Sequence, residues 1–93
     1  MKEHMVYILE CKDGTYYTGY TNDFDRRIKA HETGRGAKYT RGRGPFIVRH
    51  QETYSTKEEA MKREAFIKKF TRAEKEKLIR EGSHPNGTEK LSE

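Results

Sequence analysis

The sequence contains a single cysteine, Cys11, so it can form neither an intrachain disulfide nor a cysteine-based metal cluster. Cys11 sits on a predicted strand and is expected to be a buried thiol. Long apolar runs are also missing. No stretch would span a bilayer, and Met1-Lys2-Glu3-His4 is not followed by the apolar h-region of a secretory signal. A cytoplasmic location without membrane contact is the expectation. Hydrophobic residues are scarce, 31% against 38% charged, so a chain of 93 residues can bury only a modest core. No internal repeat is visible. Six tyrosines, four phenylalanines and clear periodic segments still argue for one folded domain over residues 1–82. Residues 83–93 hold one leucine among polar, proline and glycine residues and are expected to be a disordered tail.

Carboxylates are few in one region. The chain carries 20 lysines and arginines against 15 acids, a net charge of +5, and the acids gather after residue 52. Residues 26–49 hold Arg26, Arg27, Lys29, Lys38, Arg41 and Arg43 with little to offset them. An anionic partner follows, and nucleic acid, DNA before RNA, is the natural one for a basic stripe on a small domain. A merely solvated basic surface is the competing reading. Residues 34–45 form a glycine-rich basic loop in which Tyr39 stands among the charges, the combination that backbone tracking and base stacking need. Arg26, Lys38, Tyr39, Arg41 and Arg43 are therefore the candidate nucleic-acid contacts. The loop lacks the spacing and the Gly-Lys-Ser/Thr ending of a P-loop.

Met5-Val6-Tyr7-Ile8-Leu9 is apolar on both faces and reads as a central strand. Lys12-Asp13-Gly14 supplies a turn, and Thr15-Tyr16-Tyr17-Thr18 is β-prone, which together make an antiparallel hairpin. Register decides what it can hold. A two-residue Asp13-Gly14 turn would set Tyr7 across from Tyr20 and send Tyr17 to the other face. A three-residue Lys12-Asp13-Gly14 loop would put Tyr17 opposite Leu9, on Tyr7's face, with Gly19 opposite Tyr7. We expect the three-residue loop, with Gly19 leaving room over the Tyr7 ring for a ligand. Each tyrosine taken singly is an ordinary strand aromatic.

Thr21-Asn22-Asp23 offers N-cap oxygens, and residues 24–33 read as a helix stopped by Gly34. At 100° per residue Phe24, Arg27, Ile28 and His31 share one side, so two polar residues stand on the packing face. Arg27 suits a phosphate, because its planar fork donates two parallel hydrogen bonds. His31 alone fits a packed neutral histidine as well as a catalytic one. Residues 46–54 read as a third strand, with Pro45 tolerated at its start. Ser55 or Thr56 then caps a second helix, expected to reach about Phe70, in which Ala60, Met61, Ile67 and Phe70 form the apolar arc. Glu64 falls inside that arc. An unpaired buried carboxylate is costly, so Glu64 should meet Arg27, a hydroxyl, water or a metal ion. Thr71-Arg72-Ala73-Glu74 repeats the capping spacing and opens a third helix ended by Gly82.

This order of features resembles the GIY-YIG nuclease superfamily, and within it a small single-domain bacterial, UPF0213-like branch. The matches are Val6-Tyr7, Tyr17-Thr18-Gly19, Arg27 and His31 on the first helix, and Glu64 on the helix after the third strand. They span about residues 5–79. The resemblance implies an α+β fold, a small three-stranded antiparallel sheet flanked by about three helices. It also implies phosphodiester hydrolysis with one divalent cation, Mg²⁺ or Mn²⁺. On the matching positions, Glu64 would ligate the metal and Tyr7 would take a proton from the attacking water. Tyr17 would assist by hydrogen bonding, Arg27 would neutralise phosphate charge, and His31 would orient or relay. Two departures are visible: Met5 stands where the first motif has glycine, and Thr18 where the second usually has isoleucine or valine. Neither removes a reacting group. The expected activity is a structure-selective DNA endonuclease, of a kind used in repair or recombination, with any further specificity coming from a protein partner. A non-catalytic nucleic-acid-binding module is the second reading, and a protein-interaction domain the third.

Overall fold

The computed structural model describes residues 3–35 and 40–82. The expected tail at 83–93 lies outside them. Three strands, β1 (His4–Glu10), β2 (Tyr16–Thr21) and β3 (Ile47–Tyr54), alternate with helices α1 (Phe24–Glu32), α2 (Lys57–Lys68) and α3 (Arg72–Gly82) in the order β1, β2, α1, β3, α2, α3. The strands form one antiparallel sheet ordered β2-β1-β3, so the most apolar strand is central as expected. Val6, Tyr7, Ile8 and Leu9 are all fully buried. Cys11, also buried, lies just past the end of β1.

The hairpin adopts the three-residue loop. Cys11 and Thr15 close it through an N–H to carbonyl bond of 2.8 Å, and Gly14 takes a φ of 84°, which a side chain would oppose. Asp13 braces the turn by accepting from the Thr15 N–H and hydroxyl at 3.1 and 2.6 Å. Tyr7 consequently pairs with Gly19 and Leu9 with Tyr17. On the other side of β1 the register to β3 slips between Ile8, opposite His50, and Leu9, opposite Val48, so Arg49 bulges out and donates to Glu10.

The two faces of the sheet carry different cargo. Val6 and Ile8 pack with Ala60 and Ile67 of α2, and Tyr16, Tyr20, Tyr54, Phe70, Leu78 and Ile79 close around them. The fully buried Val6, Ile8 and Ile67 side chains contribute about 1.5–3 kcal/mol each. The expected apolar arc of α2 is narrower than its composition suggests. Ala60 and Ile67 are two turns apart and face the sheet, whereas Met61 is 44% exposed. Beside this core, Glu52 accepts from His50 Nε2 at 2.7 Å, from Arg63 at 2.8 and 3.0 Å, and from the Tyr54 hydroxyl. That ties β3 to α2.

The opposite face carries Tyr7 and Tyr17 and is met by α1. Asp23 is the N-cap of α1 but its carboxylate makes no capping bond; the Thr21 hydroxyl instead accepts the Asp23 N–H at 3.0 Å. At the other end Gly34, at φ 81°, turns the chain so that the Arg35 N–H reaches the Ala30 carbonyl at 2.7 Å while its own N–H bonds the His31 carbonyl at 3.1 Å, which stops the helix where the sequence indicated. Thr56 caps α2, which ends at Lys68 rather than near Phe70. Thr71 and Glu74 form a reciprocal capping box at 2.8 and 3.2 Å.

Candidate active site

Tyr7 rises from the central strand over the one residue without a side chain across the ladder. A β-carbon on Gly19 would lie 2.5 Å from the Tyr7 hydroxyl and 3.0 Å from the Tyr17 ring. The expected ligand space above Gly19 is therefore occupied by the Tyr7 phenol itself. Phe24 meets that ring edge-on at 5.7 Å, and Tyr17 lies tilted at 6.4 Å. The Tyr7 hydroxyl hydrogen-bonds His31 Nε2 at 2.9 Å, and His31 Nδ1 bonds the Thr40 hydroxyl at 2.8 Å. All three residues are buried. Tyr17 and Phe46 flank the imidazole edge-on at 5.4 and 5.9 Å.

Burial sets the protonation of this line. It pushes the Tyr7 phenol well above its ordinary range, with Tyr17 and Glu64 adding to the rise and Arg27 opposing it. Burial likewise raises Tyr17, which senses Lys68, Glu64 and Arg27. Burial, then the Arg27 charge, holds His31 below its usual value, so at neutral pH the imidazole is uncharged. A neutral ring donates from one nitrogen and accepts at the other. When Tyr7 donates to Nε2, Nδ1–H donates to Thr40.

Arg27 and Glu64 border the same tyrosines. Arg27 is exposed, one helical turn from His31, and its guanidinium has no hydrogen-bond or ion-pair partner among the described residues. Glu64 is largely covered, its side chain 16% exposed, and pairs with Lys68 at 3.2 Å. Lys68, and not Arg27, is thus the protein cation that answers this carboxylate. Lys68 is 51% exposed, and an ion pair of that exposure is worth about 1 kcal/mol or less. A divalent ion would displace it at small cost. Among the described residues no three His, Cys, Asp or Glu side chains converge on a metal position. The donors near Tyr17 are hard oxygens, one carboxylate and phenols. That set fits Mg²⁺ or Mn²⁺, which keep waters and share substrate phosphate oxygens, rather than zinc.

The candidate nucleic-acid contacts divide. Arg26 on α1 and Arg41 in the loop are exposed, and their side chains have no partner among the described residues. Arg43 is not available in the same way: its guanidinium is paired with Asp13 and its carbonyl accepts the Lys12 N–H at 2.8 Å. Lys38 and Tyr39 lie outside the described residues. Lys12, Asp13, Arg41, Gly42 and Arg43 line a cleft of about 510 Å³ between the hairpin turn and the loop. Residues 40–43 are anchored on both sides, by Thr40 to His31 and by Arg43 to the turn.

Two members of the site escaped the sequence reading. Thr40 carries no sequence signal as the partner of His31. Lys68 did carry one, its i,i+4 spacing from Glu64.

Comparison with known proteins gives a consistent result. The GIY-YIG catalytic domain matches residues 3–77. A UPF0213 protein of Halobacterium salinarum is 59% identical over 76 residues, covering 82% of this chain and 99% of its own length. A UPF0213 protein of Halalkalibacterium halodurans is 56% identical over 90 residues, 96% of each chain. The solution NMR structure of a UPF0213 protein from Bacillus halodurans superposes with a TM-score of 0.60 at 55% identity, covering 89% of this chain and 88% of that one. A solution NMR structure of a protein from E. faecalis gives 0.65 at 40% identity, covering 98% and 97%.

Proposed function

This chain belongs to the GIY-YIG family, and on that premise we propose that it is a metal-dependent endonuclease that hydrolyses DNA phosphodiester bonds, selecting its substrate by structure. The observation that carries the reading is the buried Tyr7–His31–Thr40 line, with Arg27 and Glu64 both acting electrostatically on Tyr7. Membership alone supports a nuclease acting on nucleic acid. The substrate, the metal and the residue roles are this proposal.

A phenol at its ordinary acidity is a poor base, and one raised by burial is poorer still. The hydrogen bond to His31 resolves this. As the Tyr7 oxygen takes a proton from the attacking water, its own proton passes to His31 Nε2, so no free phenolate has to form. Water oxygen bonds to phosphorus, the bond to the leaving oxygen breaks, and that oxygen takes a proton from solvent. Thr40 holds the imidazole in the tautomer whose Nε2 can accept. Arg27, exposed and without an ion-pair partner among the described residues, binds phosphoryl oxygens with its fork. Glu64, released from Lys68, would hold Mg²⁺ or Mn²⁺. When bound, the ion stabilises the charge that develops on the phosphoryl oxygens. Tyr7 has no exposed surface, so water reaches it only when a shielding ring, of which the part-exposed Tyr17 is one, rotates.

That same shielding favours a second reading, a non-catalytic nucleic-acid-binding module in which Tyr7 and His31 are scaffold. The test is cleavage of supercoiled plasmid and of flap or branched oligonucleotides with Mg²⁺, Mn²⁺ or EDTA, comparing wild type with Glu64→Ala. Metal-dependent product from wild type alone supports the nuclease. Salt-sensitive binding with no product from either protein supports the module.

A further inference from the structure

Three cations stand where the C-terminal end of α2 and the start of α3 meet the β2 edge of the sheet, and two of them are already answered. Lys68 has Glu64. Arg72 has Glu76 at 3.2 Å, donates to the Gly14 carbonyl at 2.6 Å and stacks on the Tyr16 ring at 4.7 Å. Lys75 has nothing. It is partly buried, and among the described residues no carboxylate or hydrogen-bond acceptor meets its ammonium group. Its burial and the nearby Lys68 charge both act against the charged form. An anion beside Lys75 would relieve both effects.

The space beside it has the matching shape. A pocket of about 240 Å³ is lined by Thr15, Tyr16, Phe70, Arg72 and Lys75. Its walls are Thr15, two aromatic rings, Lys75 and Arg72, the last stacked on Tyr16 and shared with Glu76, which also accepts from the Tyr16 hydroxyl at 3.4 Å. Aromatic faces with cations at their margin are what a single nucleic-acid strand engages, the rings taking bases or sugars and the cations taking phosphates. Lys68 links this pocket to the candidate active site, because it acts electrostatically on both Tyr17 and Lys75.

We propose that the Lys75 pocket is a second phosphate subsite, which holds a backbone phosphate of a single-stranded arm of the nucleic acid whose scissile bond lies at Tyr7. This rests on the nuclease reading for its substrate class. It adds a contact on α3 and β2, away from the basic loop, and it makes the substrate one with an unpaired arm.

The full chain, isotope-labelled, is titrated with a short single-stranded DNA oligonucleotide and separately with inorganic phosphate, following the amides of Thr15, Tyr16 and Lys75. Affinity for the oligonucleotide is measured against salt for wild type, Lys75→Gln, Lys75→Arg and the exposed α3 control Lys77→Gln. The expected result is saturable shifts at those amides and a salt slope reduced by about 0.7 in Lys75→Gln, the loss of one phosphate contact on a single strand. Lys75→Arg and Lys77→Gln should bind as wild type does, and an unchanged amide spectrum of Lys75→Gln away from the pocket shows that it folds. Lys75→Gln matching Lys77→Gln in affinity and slope overturns the proposal. So does a wild type that binds no DNA, whatever inorganic phosphate does. The nuclease reading fails differently, as absence of metal-dependent product while DNA binding and its Lys75 dependence persist.

Discussion

Gly19 and Tyr7 stand directly across the β1–β2 ladder, and the space a side chain on Gly19 would need is filled by the Tyr7 phenol, 2.5 Å from the position of a β-carbon. Glycine at this point is a requirement of the ring rather than of the backbone. Gly19→Ala should therefore force Tyr7 off His31. Overpacking of this kind costs about 1–3 kcal/mol. A lowered thermal midpoint together with lost cleavage is the expected result, and an alanine variant as stable and active as wild type would show that the ring has room to move.

His31 gives a prediction in pH. Its folded-state value lies below the ordinary 6.5, so the neutral ring that accepts from Tyr7 predominates down to that lower value. Cleavage should fall on the acid side with a midpoint below 6.5 and be flat through neutrality on this limb. His31→Ala should lower kcat by about 10² or more, the range for a lost proton-transfer partner, and should abolish the limb. A midpoint above 6.5 in wild type would remove His31 from the relay. The same depressed value makes protonation of His31 destabilising, so stability should also decline as pH drops through this region.

A separate acid window belongs to Glu52. Burial would raise its carboxyl, but bonds from His50, Arg63 and Tyr54 bring it down to about 2 from an ordinary 4.5. The folded form is thus favoured above pH 4.5, and that contribution is lost as pH falls from 4.5 toward 2. A shift of this size corresponds to about 3 kcal/mol. Urea midpoints measured across this range should fall steeply in wild type and much less in Glu52→Gln, which starts lower. Parallel curves for the two proteins would place the acid-labile carboxylate elsewhere.

The loop arginines should behave unlike each other. Arg41 has no side-chain partner among the described residues, and Arg41→Gln should weaken DNA binding and reduce the salt slope by about 0.7–0.9, one phosphate's worth. Arg43 is held by Asp13. Arg43→Gln should change the slope less than Arg41→Gln does. Equal losses at both positions, in a fluorescence-anisotropy titration against salt, would mean that DNA draws Arg43 away from the hairpin turn.

Much of this arrangement was legible in the sequence because it is local. The hairpin register follows from one three-residue loop, and with it the shared face of Tyr7 and Tyr17. The capping boxes at Thr56 and Thr71 placed two helices. The helical spacing put His31 on the face that meets the sheet, whereas Arg27, read onto the same packing face, is exposed. What was not legible depends on contacts between distant segments. Nothing in the spacing says that Thr40 bonds His31 or that Arg43 spends its charge on Asp13. The apolar arc of α2 was read too wide because hydropathy marks Met61 as a core residue, while packing against a narrow sheet needs only Ala60 and Ile67. Gly19 was read correctly as a gap, but the gap belongs to the protein's own ring.

The sheet order has one more consequence. Tyr7 stands on the strand paired along both sides, and Tyr17 on an outer strand with one free edge. Amide protons of β1 should exchange with solvent only through opening of the whole sheet, whereas β2 can fray by itself. The site therefore joins a rigid half to a yielding half. Motion that admits water to Tyr7 would come from the β2 side, leaving the hydroxyl and its imidazole partner fixed while the doorway beside them opens and closes.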